Sequence, residues 1–177
     1  MKSVLERLLA GIQYVLPQHF LSRIVYAVMR IEITWIKNTQ IQLISRLAGI
    51  NKEEALSADL ADYPCFNAWF TRQLKPGVRT FDDSPDAFLS PCDGRISETG
   101  ALTKNRILQA KGRDYTIEAL LAGDAVCEKL LNGFFSTIYL SPKDYHRIHM
   151  PLSGTLQRMT HVPGRLFSVA PYTARQV

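Results

Sequence analysis

At 177 residues, 46% hydrophobic and 21% charged, the chain is long enough to bury a core and fits one or two domains. Its net charge of +5 favours an anionic partner, but no base-stacking motif or clustered Lys/Arg tract points to nucleic acid. Three cysteines, Cys65, Cys92 and Cys127, are odd in number and lack metal-ligand spacing, which argues for reduced thiols in a cytoplasmic setting.

The charge is concentrated at the start. Lys2, Arg7, Arg23, Arg30, Lys37 and Arg46 face only Glu6 and Glu32, so four of the five net positive charges lie within residues 1–50. Apolar residues recur there at helical spacing: Val4, Leu5, Leu8 and Leu9, then Leu21, Ile24, Val25 and Val28, then Ile41, Ile44 and Leu47. Helices are expected at 3–15 and 20–48, separated by Pro17. The longest clean apolar run, residues 24–29, is far short of the roughly 20 residues a spanning helix needs. No small-residue cleavage site follows an apolar core, so a secretory signal is not expected. Tyr14 and Trp35 add interfacial side chains. Two readings stay open: these helices cover the protein's own core, or they lie on an anionic membrane surface.

Asn51 and Glu54 have capping-box spacing and are expected to open a short helix. A second short helix is expected over 66–74, ending before Pro76-Gly77. From residue 78 the pattern turns to short β-like segments with Gly and Pro turns, interrupted by a helix near 117–121. Phe134-Phe135-Ser136-Thr137-Ile138-Tyr139-Leu140 reads as a buried strand. The expected class is α+β: amphipathic N-terminal helices, then an incomplete β-rich catalytic domain. The division falls at residue 75, with a helical membrane-associating region at 1–75 and a β-rich region at 76–177.

Ser141-Pro142-Lys143-Asp144-Tyr145-His146-Arg147-Ile148-His149-Met150-Pro151 holds two of the four histidines between two prolines, just past that strand. Histidine titrates nearest neutral pH and is the usual proton carrier in catalysis. If the segment is extended, His146 and His149 face opposite sides; if it is helical, they share a face. The plainer alternative is one structural histidine bonded to backbone and one in solvent. A metal site is not expected, because a His-x-x-His pair needs further ligands and no Cys-x-x-Cys or His-Glu-x-x-His motif supplies them. Asp144 follows Pro142 as a turn former would. Pro91-Cys92-Asp93-Gly94 is likewise a turn signal when taken alone. Asp93 gains a chemical role only if the fold brings it to a histidine, whose tautomer a carboxylate fixes.

Four blocks occur in order: Pro91-Cys92-Asp93-Gly94, Ile107-Leu108-Gln109-Ala110-Lys111-Gly112, Tyr115-Thr116-Ile117-Glu118-Ala119-Leu120-Leu121-Ala122-Gly123, and the segment from Tyr139 to Pro151. Phe66-Asn67-Ala68-Trp69-Phe70-Thr71-Arg72-Gln73-Leu74 precedes them, and Val162-Pro163-Gly164-Arg165-Leu166-Phe167-Ser168-Val169 follows. Together these closely resemble the bacterial phosphatidylserine decarboxylases, along nearly the whole chain. The resemblance implies a proenzyme that cuts itself before a serine in a Gly-Ser motif. That serine becomes a covalent pyruvoyl group, which serves as the electron sink when the substrate loses CO2. By motif position Asp93 and His149 match the Asp and His of the self-cleavage triad, and His146 matches a histidine that moves a proton during decarboxylation.

One departure stands out: none of the ten glycines is followed by serine. The expectation is therefore an N-terminal part of the proenzyme, inactive alone, that relies on a C-terminal pyruvoyl-bearing part. The implied partners are phosphatidylserine and, peripherally, the anionic cytoplasmic face of the cell membrane, with a homo-oligomer also open. The alternative is a catalytically dead, membrane-binding module that kept part of the fold.

Overall fold

A computed structural model of the chain describes residues 11–82, 84–102, 106–108, 114–164 and 166. Expectations resting on Val4, Leu5, Leu8 and Leu9, on Gln109 to Gly112 and on Phe167 to Val169 lie outside them. The class is α+β. Packing groups the chain into two units. One holds Phe20–Gly94 with Leu140–Gln157; the other holds the described residues of Met1–His19, Arg95–Tyr139 and Arg158–Val177.

The first unit is built on helices. Its first helix is α1 (Gln18–Val28), which follows Pro17 and enters this unit at Phe20; the helical residues 11–15 before Pro17 belong to the other unit. α1 buries none of its residues: Phe20, Leu21, Ile24, Val25 and Tyr26 are all exposed. The chain then leaves the helix and restarts as α2 (Thr34–Ala48). The expected single helix over 20–48 is thus two. β-branched Ile31, Ile33 and Thr34 weaken the helix locally, while tertiary bonds take its last carbonyls. Gln40 Nε2 donates to Val28 O at 3.0 Å and Asn67 N to Met29 O at 2.9 Å. α2 ends in a left-handed Gly49 (φ 72°), whose N–H and that of Ile50 bond Ser45 O, with Arg46 in the last turn.

One stripe of α2, Lys37, Ile41 and Ser45 at four-residue spacing, is buried. Ile41 packs with Ile50, Ala55, Tyr63, Phe66 and Trp69. Trp69, on the short α3 (Phe66–Phe70), meets Tyr63 edge-on at 5.0 Å and donates from Nε1 to Ser45 Oγ at 3.0 Å. Lys37 reaches across to cap Leu60 O at 2.6 Å, at the 3-10 turn Leu60–Asp62.

Two short helices differ from expectation. Asn51 and Glu54 do touch, Nδ2 to Oε1 at 3.1 Å, but they form a turn instead of a helix. The backbone there is bonded elsewhere: Ala55 bridges Leu74, Leu56 N donates to Gln73 O and Lys75 N to Glu54 O. That same bridge ends α3 at Phe70, well short of residue 74.

In the second unit β1 (Arg95–Ala101) pairs antiparallel with β4 (Phe134–Tyr139), with a register shift between Ile96 and Glu98. β2 (Arg106–Leu108) pairs with β3 (Asp114–Thr116). Thr116 Oγ1 then caps α4 (Ile117–Leu120) by accepting from Ala119 N at 3.0 Å, and α5 (Cys127–Leu130) follows. The strand over 134–139 is present but not buried: Phe134 is 85% exposed, exposure alternates over residues 134–137, and residues 137–139 are only partly buried. A two-stranded ladder covers one face at most, so the aromatic and β-branched composition reports strand propensity here and not burial. Among the described residues no helix is long and apolar enough to cross a membrane.

Candidate active site

The first unit gathers the sequence-singled residues. The segment after β4 turns at Ser141–Asp144, where Asp144 N donates to Ser141 O at 2.9 Å. The Asp144 carboxylate accepts from Ser141 N (2.7 Å) and Oγ (2.9 Å). Asp144 is thus a turn residue, as its place after Pro142 suggests. Beyond the turn the chain is neither strand nor helix, and cross-chain bonds hold it: Arg147 Nε to Thr71 O at 2.7 Å, His149 N to Pro91 O at 2.7 Å and Leu89 N to Pro151 O at 3.1 Å.

Those bonds set the two histidines in different surroundings. The His146 ring stacks on Phe70 at 4.0 Å and 25°, with Nε2 3.1 Å from Ser141 O. A carbonyl can only accept, so Nε2 carries the hydrogen and Nδ1 keeps its lone pair. Burial pushes the His146 pKa below the ordinary histidine value, against the bond to Ser141 and the charge of Asp144, which raise it; Arg72 adds to the lowering. His146 is therefore set up as a neutral base with Nδ1 as its free nitrogen. The His149 ring stacks on Tyr145 at 5.6 Å, with Nε2 3.2 Å from the Tyr145 hydroxyl.

The bond from His149 N to Pro91 O brings Asp93 and His149 into one neighbourhood across more than fifty residues of sequence. Their side chains are not bonded to each other. The Asp93 carboxylate is taken by Arg79, whose Nε lies 3.1 and 3.2 Å from its two oxygens and whose Nη2 lies 2.6 Å from Oδ2. Arg79 Nη2 also bonds Glu54 Oε2 at 3.0 Å. The Arg79 bond holds the Asp93 pKa below the ordinary carboxylate value against a burial penalty, with help from the Tyr145 N–H and, least, from His149. Arg79 is itself pushed up by Asp93 and Glu54. Cys92, next to Asp93, has its thiol pushed up by burial and by that carboxylate, so it is held as a thiol.

Sequence reading missed Arg79, and Glu54 entered it only as a capping residue. The available signal was Pro76-Gly77, a turn able to swing Arg79 back over the helical unit (Gly77 φ 80°). It also missed Arg72, which is buried to 2% exposure over the Trp69 ring at 5.1 Å, with Nε and Nη1 lacking a hydrogen-bond partner. Among the described residues no three His, Cys, Asp or Glu side chains converge as a metal site would require.

Beside this site, Leu21, Val25, Tyr26, Met29, Phe66 and Phe70 line an apolar cleft of about 530 Å³. Phe70 thus lines the cleft and also stacks on His146.

An apolar cleft lies next to a histidine whose pKa is held down, with a carboxylate whose pKa is held down near a second histidine, an arrangement able to move protons. Residues 66–177 match the family phosphatidylserine decarboxylase, and residues 8–47 match a second family described as PSD. Similar proteins include a phosphatidylserine decarboxylase proenzyme from Alkalilimnicola ehrlichii, 51% identical over 98% of this chain and 60% of that protein. Proenzymes so named from Methylococcus capsulatus and Pseudomonas putida F1 are 49% and 48% identical, each over 97% of this chain and 60% of theirs. The chain belongs to the phosphatidylserine decarboxylase family. It spans about three fifths of the length of these relatives.

Proposed function

We propose that this chain carries the acid–base half of a phosphatidylserine decarboxylase, which converts phosphatidylserine to phosphatidylethanolamine and CO2. The observation that supports the reading is the backbone bond from His149 N to Pro91 O at 2.7 Å, which holds the segment carrying His149 against the turn that carries Asp93. In self-cleavage His149 takes the proton of the serine nucleophile, and ionised Asp93 stabilises the imidazolium that results. His146 serves the later step, holding or delivering a proton at Nδ1 in a half-buried position beside the apolar cleft.

The pyruvoyl group implied by the family has no parent serine among these residues, since no glycine precedes a serine. When formed, it supplies the electron sink for loss of CO2. These residues alone are accordingly expected to be inactive. The exposed apolar face of α1, together with the cations of residues 1–50, supports peripheral attachment to an anionic membrane on its cytoplasmic face.

The test is expression of the full-length reading frame, with self-cleavage followed on a gel and CO2 release measured from labelled phosphatidylserine. Cleavage with CO2 release supports the decarboxylase. An uncut, inactive but folded protein that still binds vesicles supports the dead membrane module.

A further inference from the structure

Arg79 stands between two carboxylates and is shared unevenly. It offers Asp93 both Nε and Nη2, a forked grip with contacts of 2.6, 3.1 and 3.2 Å, and it offers Glu54 a single contact at 3.0 Å from Nη2. Its Nη1 donates to its own neighbour's carbonyl, Val78 O, at 3.2 Å, which fixes the plane of the guanidinium. A planar fork sets a carboxylate's orientation as well as its charge, which a lysine point charge cannot do. The carboxylate still has lone pairs to spare, since two oxygens offer about four acceptor sites.

We propose that Arg79 is a positioning residue for self-cleavage, holding Asp93 ionised and oriented for His149, with Glu54 anchoring Arg79 from the turn at 51–56. This rests on the assignment of Asp93 and His149 to that step. The ionisable groups facing Asp93 are Arg79 and, through it, Glu54; His149 from the segment after β4, where Tyr145 contributes only its backbone N–H; and its neighbour Cys92. Arg72 adds a second cation to the surroundings of Arg79 and Glu54. Removing Arg79 leaves Asp93 without the cation that opposes its protonation, so cleavage should fail at a higher pH on the acid side.

The experiment follows the cleavage rate of the full-length proenzyme against pH for wild type, Arg79→Gln and Arg79→Lys. Loss of charge-assisted bonds predicts a rate about 10- to 100-fold lower for Arg79→Gln, with its acid limb moved to higher pH. Arg79→Lys, which keeps the charge but not the fork, should restore the acid limb and only part of the rate. A wild-type rate and profile in Arg79→Gln overturns the proposal. So does an equal loss in both variants at every pH, which is the mark of a merely structural arginine. If Arg79→Gln proves insoluble, Arg79→Lys decides alone, since a wild-type rate there means the fork does nothing. Asp93→Asn separates this idea from its premise: normal cleavage in that variant removes the triad assignment, whatever Arg79 does.

Discussion

The ring of His146 lies flat against Phe70, centroids 4.0 Å apart and planes 25° from parallel. Phe70 covers one face of the imidazole while Ser141 O accepts at Nε2, so a residue from the end of α3 shields one face of the half-buried proposed proton carrier. The same contact contributes to the burial that, with the Arg72 charge, lowers the basicity of His146, because the charged form needs water.

His146 should therefore titrate below 6.5, its ordinary value. Because the unfolded state then binds the proton more readily, stability falls as pH drops through the region below 6.5 and is unaffected by this group above it. Phe70→Ala exposes the ring and should raise the midpoint toward 6.5. Histidine C–H resonances followed by NMR against pH test this, and an unmoved midpoint in Phe70→Ala would show that burial by Phe70 is not the cause.

The core of the helical unit makes a separate prediction. Trp69 is 1% exposed and its Nε1 rests on Ser45 Oγ, itself on a residue 2% exposed. Trp69→Ala should cost about 3–5 kcal/mol through the cavity it leaves. Ser45→Ala should cost about 1–3 kcal/mol by orphaning the indole N–H. Urea denaturation followed by tryptophan fluorescence and circular dichroism measures both, with Ser45→Ala read by both probes. Equal midpoints for Ser45→Ala and wild type would mean the bond contributes nothing net.

Much of this was legible in the sequence, and its omissions share a cause. Pro17 acts on its own neighbours, so the break there was read locally, and the expected helix ends at 48 and near 117 fall where Gly49 and Thr116 cap the helices. The break after Val28 could not, because Gln40 and Asn67 supply the carbonyl partners from elsewhere in the chain. Lys37 reads as a solvent-facing helical lysine until Leu60 O is found beneath it. At the site, His146, His149 and Asp93 were visible as residue types in ordered motifs. Arg79 and Glu54 were not, since an ion pair spanning 25 residues leaves no periodic trace.

Membrane attachment should depend on the exposed face of α1 more than on charge alone. Leu21→Asp with Val25→Asp should weaken binding to anionic vesicles more than Arg23→Gln with Arg30→Gln, and residual wild-type binding should persist at high salt. Co-sedimentation of the full-length protein at two salt concentrations measures this. If the aspartate pair binds as wild type does, α1 is not the attachment surface.

His146 and His149, three residues apart, are assigned to two different steps. The most direct measurement is a denaturing gel of the full-length proenzyme carrying His149→Ala or His146→Ala, paired with CO2 release from phosphatidylserine. His149→Ala should remain uncut, whereas His146→Ala should be cut normally and yet release CO2 about 100-fold or more slowly. An uncut His146→Ala, or a normally processed His149→Ala, would contradict that division of labour.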